Sequence, residues 1–126
     1  MRGYDYTEPI QTERLVLRAF ERGDFAAVYA MRSSPDVVRY LYWDVHTEEQ
    51  ARRALEDRIR FRSIHREGDV LALAASERGA DEMVVDIILR CVSEAHSLAE
   101  IGYIVHPEHQ GNGYATEAAR AVLRIA

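Results

Sequence analysis

The sequence predicts a single α+β (or α/β) domain over residues 1–126, with a largely antiparallel central sheet flanked by helices. Its length of 126 residues is typical of one domain. Hydrophobic residues make up 48% of the chain and charged residues 29%, which is enough apolar material for a buried core. Patterns typical of strands and helices follow one another in the order strand, two helices, three strands and helix.

The first strand and the first helices are predicted from alternation and capping signals. Residues 13–20 begin with alternating apolar and polar side chains, which is typical of a strand. Asp24 precedes a rough apolar stripe over residues 25–32 and is the predicted cap of a short helix. Proline is tolerated at a first helical position, so a second helical turn is predicted to begin at Pro35.

A longer helix is predicted after residue 47. Thr47 and Gln50 have the spacing of a capping box, in which a hydroxyl and an amide satisfy backbone N–H groups reciprocally. Apolar side chains then recur along one face, with carboxylates early and arginines late, as the helix dipole favours. We expect this helix to run to about Arg66 and to end at Gly68.

Three strands and a last helix are predicted for the second half of the chain. Apolar runs over residues 70–75, 83–92 and 98–105 are separated by polar turns, which predicts an antiparallel meander. Residues 115–126 have the apolar stripe of a helix. The stripe continues to the last residue without a capping signal, so we expect the sequence to be a fragment of a longer chain.

Composition and charge exclude several classes of function. The net charge of −5 gives no electrostatic reason to expect binding to nucleic acid or to an anionic membrane. No apolar run has the length of a membrane span, and residues 1–6 do not resemble a secretory signal. The single cysteine, Cys91, suggests a reducing cytoplasm. All sixteen basic residues are arginine, so a Schiff-base lysine or a Walker-type lysine is impossible within this chain.

The segment after the last predicted strand carries the clearest functional signal. Gly111 and Gly113 form a turn between that strand and the last helix. Glycines allow a left-handed backbone conformation and a close approach of the backbone to a ligand, so that successive N–H groups can point into one concavity. The helix N-terminus behind them adds unsatisfied N–H groups and a partial positive charge. The junction therefore predicts a phosphate or diphosphate site that needs no lysine.

Three interpretations of this turn can be compared. As a dinucleotide fingerprint it has Thr116 where a final Gly or Ala is expected, and the ten residues that follow are too few for the acidic partner. As a Walker loop it lacks lysine. As a plain structural turn it needs no ligand, and two glycines alone do not decide between this interpretation and a phosphate site.

The wider segment resembles a known family. Residues 110–115, Gln-Gly-Asn-Gly-Tyr-Ala, fit the Gln/Arg-x-x-Gly-x-Gly/Ala pattern of the GCN5-related N-acetyltransferases (GNAT). Four flanking segments resemble the subgroup of ribosomal-protein N-terminal acetyltransferases (RimJ/RimL-like), and these are residues 12–18, 35–41, 99–103 and 114–120. The resemblance covers nearly the entire chain.

The resemblance implies a binding mode for the co-substrate acetyl-coenzyme A (acetyl-CoA). The family's loop binds the diphosphate through backbone N–H groups, and the matching residues here are Gln110, Gly111, Asn112, Gly113, Tyr114, Ala115 and Thr116. The pantetheine arm would pair with backbone groups at the open edge of the preceding strand, at Tyr103, Ile104 and Val105. The reaction would be direct acetyl transfer to an amine, with a backbone N–H near Val105 polarising the thioester carbonyl.

The sequence offers a candidate base for the proton transfers but no general acid. An attacking amine must lose a proton, and Glu100 is the candidate base because alternation places it on the strand face of Gly102 and Ile104. A plain exposed carboxylate is an equal alternative for Glu100. The family often takes its general acid from a helix beyond the last one here, and no residue of this sequence fills that role. The resemblance also implies that C-terminal strands are lacking, so the sequence is a fragment or a partner completes the fold. Asp86 stands where related sequences usually have Gly, which places the local backbone geometry in question.

Two further groups have competing interpretations. His106 and His109 are three residues apart, but they lie on a loop without a nearby cysteine, so no metal site is predicted. Tyr40, Tyr42 and Trp43 are interpreted as packing residues, and the alternative is that they line a groove for the acceptor.

The predicted function is therefore that of an acetyl-CoA-dependent N-acetyltransferase. Its acceptor would be a primary amine, either a peptide N-terminus or a small molecule, and a homodimer is one expected assembly because acetyltransferases of this kind are often dimers. Two alternatives stay open. One is a non-catalytic coenzyme A-binding or regulatory module, and the other is a structural domain whose glycines only turn the chain.

Overall fold

The computed structural model describes residues 3–39 and 44–125. In chain order its strands and helices are β1 (Tyr4–Asp5), β2 (Ile10–Gln11), β3 (Leu15–Arg18), α1 (Phe25–Ser33), α2 (Pro35–Val38), α3 (Glu48–Arg60), β4 (Ser63–Ile64), β5 (Val70–Glu77), β6 (Met83–Ser93), β7 (Leu98–Val105) and α4 (Tyr114–Leu123). Among the helices within these two ranges, none combines the length and the hydropathy that a membrane span requires.

An antiparallel sheet forms the centre of the fold, with five strands in the order β2-β3-β5-β6-β7. Every neighbouring pair in this sheet is antiparallel, and β5, β6 and β7 form the predicted meander. β1 and β4 make a separate two-stranded pair. The predicted class, α+β with a largely antiparallel sheet flanked by helices, is confirmed.

Helices cover both faces of the sheet, which explains why its central strands are apolar on both sides. Leu71 and Leu73 of β5 belong to the core cluster that includes Ala118 and Val122 of α4. Ala72, between them in sequence, belongs to the cluster on the opposite face, where α1 and α3 pack. Alternation along β5 thus sends leucines toward α4 and alanine toward α1 and α3.

The longest helix begins where the sequence predicts and ends earlier. The Thr47 hydroxyl accepts a hydrogen bond from the Gln50 N–H, and the Gln50 side chain accepts one from the Thr47 N–H, so the capping box is confirmed. The prediction that this helix runs to about Arg66 is wrong, because α3 ends at Arg60.

Strand pairing explains the early end of α3. The carbonyl of Phe61, the first residue after the helix, accepts a hydrogen bond from the Ala72 N–H at 2.8 Å. Ile64 then pairs with Tyr4, and its side chain is fully buried. These long-range contacts outweigh a helical pattern that continues beyond this point in the sequence.

The other boundaries lie close to those predicted. β7 has the predicted bounds, 98–105, and α4 begins at residue 114 instead of 115. β3 covers residues 15–18 of the predicted 13–20. The two-residue strands β1 and β2 were not predicted, because two residues show no alternation.

A buried ion-pair cluster links the sheet to the helices. Asp86 of β6 is only 2% exposed, and its carboxylate accepts hydrogen bonds from Arg32 Nη2 of α1 and Arg58 Nε of α3, each at 3.1 Å. Asp86 lies in regular register with Ala74 and Ile104. The aspartate therefore does not distort the strand.

We expect Asp86→Asn to lower the free energy of unfolding by about 3–5 kcal/mol, because it removes the buried charge that two arginines contact. Urea unfolding at neutral pH measures the change. Asp57→Asn is the control, since Asp57 and Arg60 form an exposed ion pair whose loss costs about 0–1 kcal/mol. Equal effects of the two substitutions would contradict a stabilising role for the buried cluster.

Candidate functional site

A short turn and a glycine loop join β7 to α4. A 3-10 turn spans Pro107–His109, and residues 110–113 complete the connection. Gly111 has a φ of 82° and Gly113 a φ of 75°. This is a left-handed backbone conformation, which residues other than glycine adopt only with strain. Glycine therefore stands at both loop positions that require this conformation.

The N-terminus of α4 opens onto the loop. Gly113 is the N-cap, and no side-chain hydrogen bond within the described part of the chain caps the helix. The Glu117 N–H donates to the Gly113 carbonyl at 3.1 Å. The N–H groups before it have no partner within the helix, and they follow directly on the exposed residues 110–113. This arrangement is suited to binding an anion.

β7 lies at an edge of the sheet, and β6 is its one strand neighbour among the described residues. The His106 N–H donates to the Val84 carbonyl at 2.8 Å, and the register continues without a shift to Ile104. In an antiparallel ladder every second pair exchanges hydrogen bonds, so Ile104 turns its N–H and C=O toward β6. Tyr103 and Val105 turn theirs toward the open edge.

This alternation separates the three residues predicted to pair with a pantetheine arm. Tyr103 and Val105 present backbone groups to the open edge, as that prediction requires. Ile104 does not, and its buried side chain packs in the cluster shared with α1 and α3. The backbone of Ile104 continues the β6 ladder and its side chain belongs to the core, which leaves Tyr103 and Val105 as the residues whose backbone groups face the open edge.

Glu100 lies exposed near the other end of β7, opposite Arg90. A strand rises about 3.4 Å per residue, so Glu100 is roughly 17 Å along the strand from Val105. A glutamate side chain does not span this distance. The role of base that the sequence predicts for Glu100 thus requires a relay of water molecules, and it stays a prediction.

Arg14, which immediately precedes β3, connects to both the loop and α4. Its backbone N–H and its Nε donate to the Glu117 carboxylate at 2.8 and 2.7 Å. Its Nη1 donates to the Asn112 carbonyl at 2.8 Å, and its guanidinium lies 4.7 Å from the centre of the Tyr114 ring. The Thr12 hydroxyl donates to the same carboxylate at 2.5 Å. The start of β3 is thereby attached to the glycine loop.

A cleft of about 570 Å³ lies between the start of β3 and α4. Its lining includes Gly113 of the loop and the guanidinium-bearing residues Arg14, Arg120 and Arg124. Arg14 lies beside the N-terminus of α4, whereas Arg120 and Arg124 lie further along the helix. Glu13 and Glu117 line the same cleft, so it carries charges of both signs.

The loop is also held from the side of β5 and β6. The Tyr114 hydroxyl donates to Glu77 Oε2 at 2.6 Å. This hydrogen bond, followed by burial, raises the pKa of the Tyr114 hydroxyl. His109 Nε2 lies 3.7 Å from the Glu82 carboxylate.

His106, Glu108 and His109 come together in the 3-10 turn, and their potential metal-ligand atoms all lie within 4.8 Å of one another. His106 Nδ1 accepts a hydrogen bond from the Glu108 N–H at 3.2 Å and caps the turn. Capping gives His106 a structural role, and the sequence-based expectation that no metal binds here stays a prediction.

Two groups of residues complete the comparison of prediction and structure, one that the structure does not describe and one that the sequence did not predict. Tyr40, Tyr42 and Trp43, considered for an acceptor groove, lie outside the described residues. Sequence reasoning missed Arg14 and Glu117 as parts of the site, because they are 103 positions apart. The available signal was that both lie in segments with the resemblance described above, 12–18 and 114–120.

Comparison with known proteins places the chain in a family. The family model of the acetyltransferase (GNAT) domain matches residues 14–126. The chain belongs to the GNAT acetyltransferase family. Two curated relatives from Bacillus subtilis, the uncharacterized N-acetyltransferases YnaD and YoaA, are 32% and 29% identical to it over 114 residues. These matches cover 90% of this chain but only 62% and 63% of the two relatives, so the chain spans less than two thirds of their length.

Solved structures of acetyltransferases share the fold. An acetyltransferase from Bacillus anthracis superposes with a TM-score of 0.78 at 30% identity, covering 93% of this chain and 64% of that chain. Spermidine N-acetyltransferase from Vibrio cholerae, solved with CoA and spermine, has a TM-score of 0.64 at 21% identity and covers 82% and 58% of the two chains. An acetyltransferase from Salmonella typhimurium that modifies the N-terminal serine of ribosomal protein L7/L12 has a TM-score of 0.69 at 19% identity, with coverage of 91% and 65%.

The Glu117 carboxyl has a lowered pKa within this network. Burial alone would raise its pKa, but hydrogen bonds from Thr12 and from Arg14 outweigh burial and bring it below the ordinary value of 4.5. Between the folded and unfolded pKa values, the unfolded chain binds more protons. The carboxylate therefore stabilises the fold above about pH 4.5, and this contribution is lost as the pH falls through the folded pKa.

We expect Glu117→Gln to lower the free energy of unfolding at pH 7 and to have a smaller effect as the pH falls from about 4.5 to 3, because the parent then loses the contribution of its charge. Urea unfolding of both proteins across this range measures the difference. A difference that is the same at pH 3 and pH 7 would show that the charge of Glu117 does not support the fold.

Proposed function

We propose that this GNAT protein is an acetyl-CoA-dependent N-acetyltransferase that transfers an acetyl group to a primary amine. The observation that carries the proposal is the junction of β7 and α4. There the left-handed glycines, an open helix N-terminus and a strand edge that pairs with no other strand of residues 3–39 and 44–125 lie next to one another.

The donor groups of the junction fit a diphosphate. Backbone N–H groups of a glycine loop and a helix N-terminus bind phosphate oxygens without a lysine. The residues that would supply them are Gln110, Gly111, Asn112, Gly113, Tyr114, Ala115 and Thr116. The nearby Glu117 carboxylate is already engaged by Thr12 and Arg14, which reduces its repulsion of an anion.

The open edge of β7 fits the pantetheine arm. Tyr103 and Val105 offer backbone N–H and C=O groups there, and an extended chain with amides pairs with such an edge as an added strand does. When bound, acetyl-CoA supplies the thioester. The Val105 N–H, held in place by the strand, would donate to the thioester oxygen, where negative charge develops during acyl transfer.

The acceptor amine would attack in its neutral form. Its nitrogen forms a bond to the thioester carbon, the carbon–sulfur bond breaks with its electron pair on sulfur so that CoA leaves as a thiolate, and the amine nitrogen gives up a proton. Glu100 is the proposed final proton acceptor, reached through water because of its distance from Val105.

The narrower proposal for the acceptor is a protein N-terminal α-amine. It is supported by the resemblance of four segments to the RimJ/RimL-like subgroup and by the fold shared with the Salmonella enzyme. The shared fold with the spermidine enzyme supports a small amine equally at this level of similarity.

We further propose that the protein acts in the cytoplasm, because its single cysteine is buried as a free thiol. A homodimer stays a prediction.

Calorimetric titration with acetyl-CoA, followed by acetylation assays on an amine panel, tests the proposal. We expect the parent to bind acetyl-CoA and Gly113→Glu to bind it about tenfold more weakly or worse. The glutamate carboxylate would repel the diphosphate and compete with it for the helix N-terminus, where an anion is stabilised by up to ~2 kcal/mol. Gly79→Glu is the matched control, since Gly79 has a similar φ of 85° in an open turn. It should bind as the parent does.

The outcomes separate the competing functions. Binding with acetylation of an amine supports the enzyme. Binding without acetylation of any peptide or small amine supports the non-catalytic coenzyme A-binding module. Absence of binding by the parent, or equal binding by Gly113→Glu, would contradict the assignment of the glycine loop.

A further inference from the structure

The Arg14 guanidinium bridges two groups at the mouth of the proposed diphosphate site. Its Nε donates to Glu117 Oε1 at 2.7 Å, and its Nη1 donates to the Asn112 carbonyl at 2.8 Å. These partners lie 103 and 98 positions away in the sequence. The planar guanidinium has the spacing to reach both at once, whereas a lysine ammonium has a single point of contact.

The bond to Asn112 sets the direction of an N–H group in the loop. A trans peptide directs its C=O and its N–H to opposite sides, and the described residues contain no cis peptide bond. With the Asn112 carbonyl held toward Arg14, the Gly113 N–H must point away from it, toward the other side of the loop. Glycine would otherwise allow this peptide plane to rotate. The hydrogen bond from Arg14 to the Asn112 carbonyl restricts that rotation.

The bond to Glu117 controls the charge beside the same helix N-terminus. A carboxylate in the first turn of α4 would repel a bound diphosphate. Here it receives the Arg14 backbone N–H and Nε, together with the Thr12 hydroxyl. A Cβ added to Gly113 would lie 3.5 Å from Arg14 Nη2, so the guanidinium lies directly against the loop while it neutralises the carboxylate.

We propose that Arg14 is a positioning residue for acetyl-CoA binding, which it serves by orienting the Asn112–Gly113 peptide and by neutralising Glu117. This inference rests on the proposed function. It adds a residue that immediately precedes β3 to a site otherwise built from the β7–α4 junction. It makes no use of direct contact between Arg14 and the co-substrate.

Variants of Arg14 separate the two contributions. Arg14→Lys keeps the charge and loses the fork, whereas Arg14→Gln loses both. We expect the KM and Kd for acetyl-CoA to rise about tenfold or more in Arg14→Lys and further in Arg14→Gln, with kcat at saturation within about twofold of the parent. Adding Glu117→Gln to Arg14→Gln should restore affinity to about the level of Arg14→Lys, because the carboxylate that needs neutralising is gone.

Arg53→Gln is the control, since Arg53 and Glu49 form an exposed pair at the same 2.7 Å on α3, far from the loop in sequence. It should leave both constants unchanged. Circular dichroism checks that each variant is folded, and Arg14→Lys carries the test if Arg14→Gln is not folded.

If the parent does not bind acetyl-CoA, the proposed function fails and the inference with it. If the parent binds and Arg14→Lys binds equally well, or if kcat alone changes, the inference about Arg14 is wrong and the proposed function stands.

Discussion

The structure depends on one constraint, which is the direction of backbone N–H groups where β7 turns into α4. A strand at a sheet edge and a helix N-terminus both leave N–H groups without partners. The left-handed conformation at Gly111 and Gly113 brings the two together within a few residues. A chain without lysine can therefore assemble a positive surface for an anion from its main chain, with arginines in supporting positions.

The sheet holds this junction in place because it is covered on both faces. α4 packs against the leucines of β5 on one side, while α1 and α3 cover the other. Asp86 adds a charged link through the second interface, where it contacts both Arg32 and Arg58. β7 thus keeps a fixed edge, and its alternation decides that Tyr103 and Val105, and not Ile104, offer their backbone groups outward.

Much of this could be predicted from the sequence because the deciding signals are local. The glycine positions, the Thr47–Gln50 capping box and the three apolar strands each depend on residues a few positions apart. The end of α3 could not be predicted, since Phe61 leaves the helix to pair with a strand that follows later in the chain. Arg14 and Glu117 were missed for the same reason: their contact exists only once β3 and α4 are side by side. The edge geometry of Ile104 required the ladder register, which no single-strand pattern contains.

The most direct measurement is an NMR titration of the ¹⁵N-labelled protein with acetyl-CoA, followed through the backbone amide signals. Binding at the junction predicts large shifts for the amides of residues 111–116 and for Tyr103 and Val105, with a clearly smaller shift for Ile104, whose N–H is already bonded within the sheet. Large shifts confined to other parts of the chain, or equal shifts at Tyr103, Ile104 and Val105, would contradict a co-substrate site made from this loop and this strand edge.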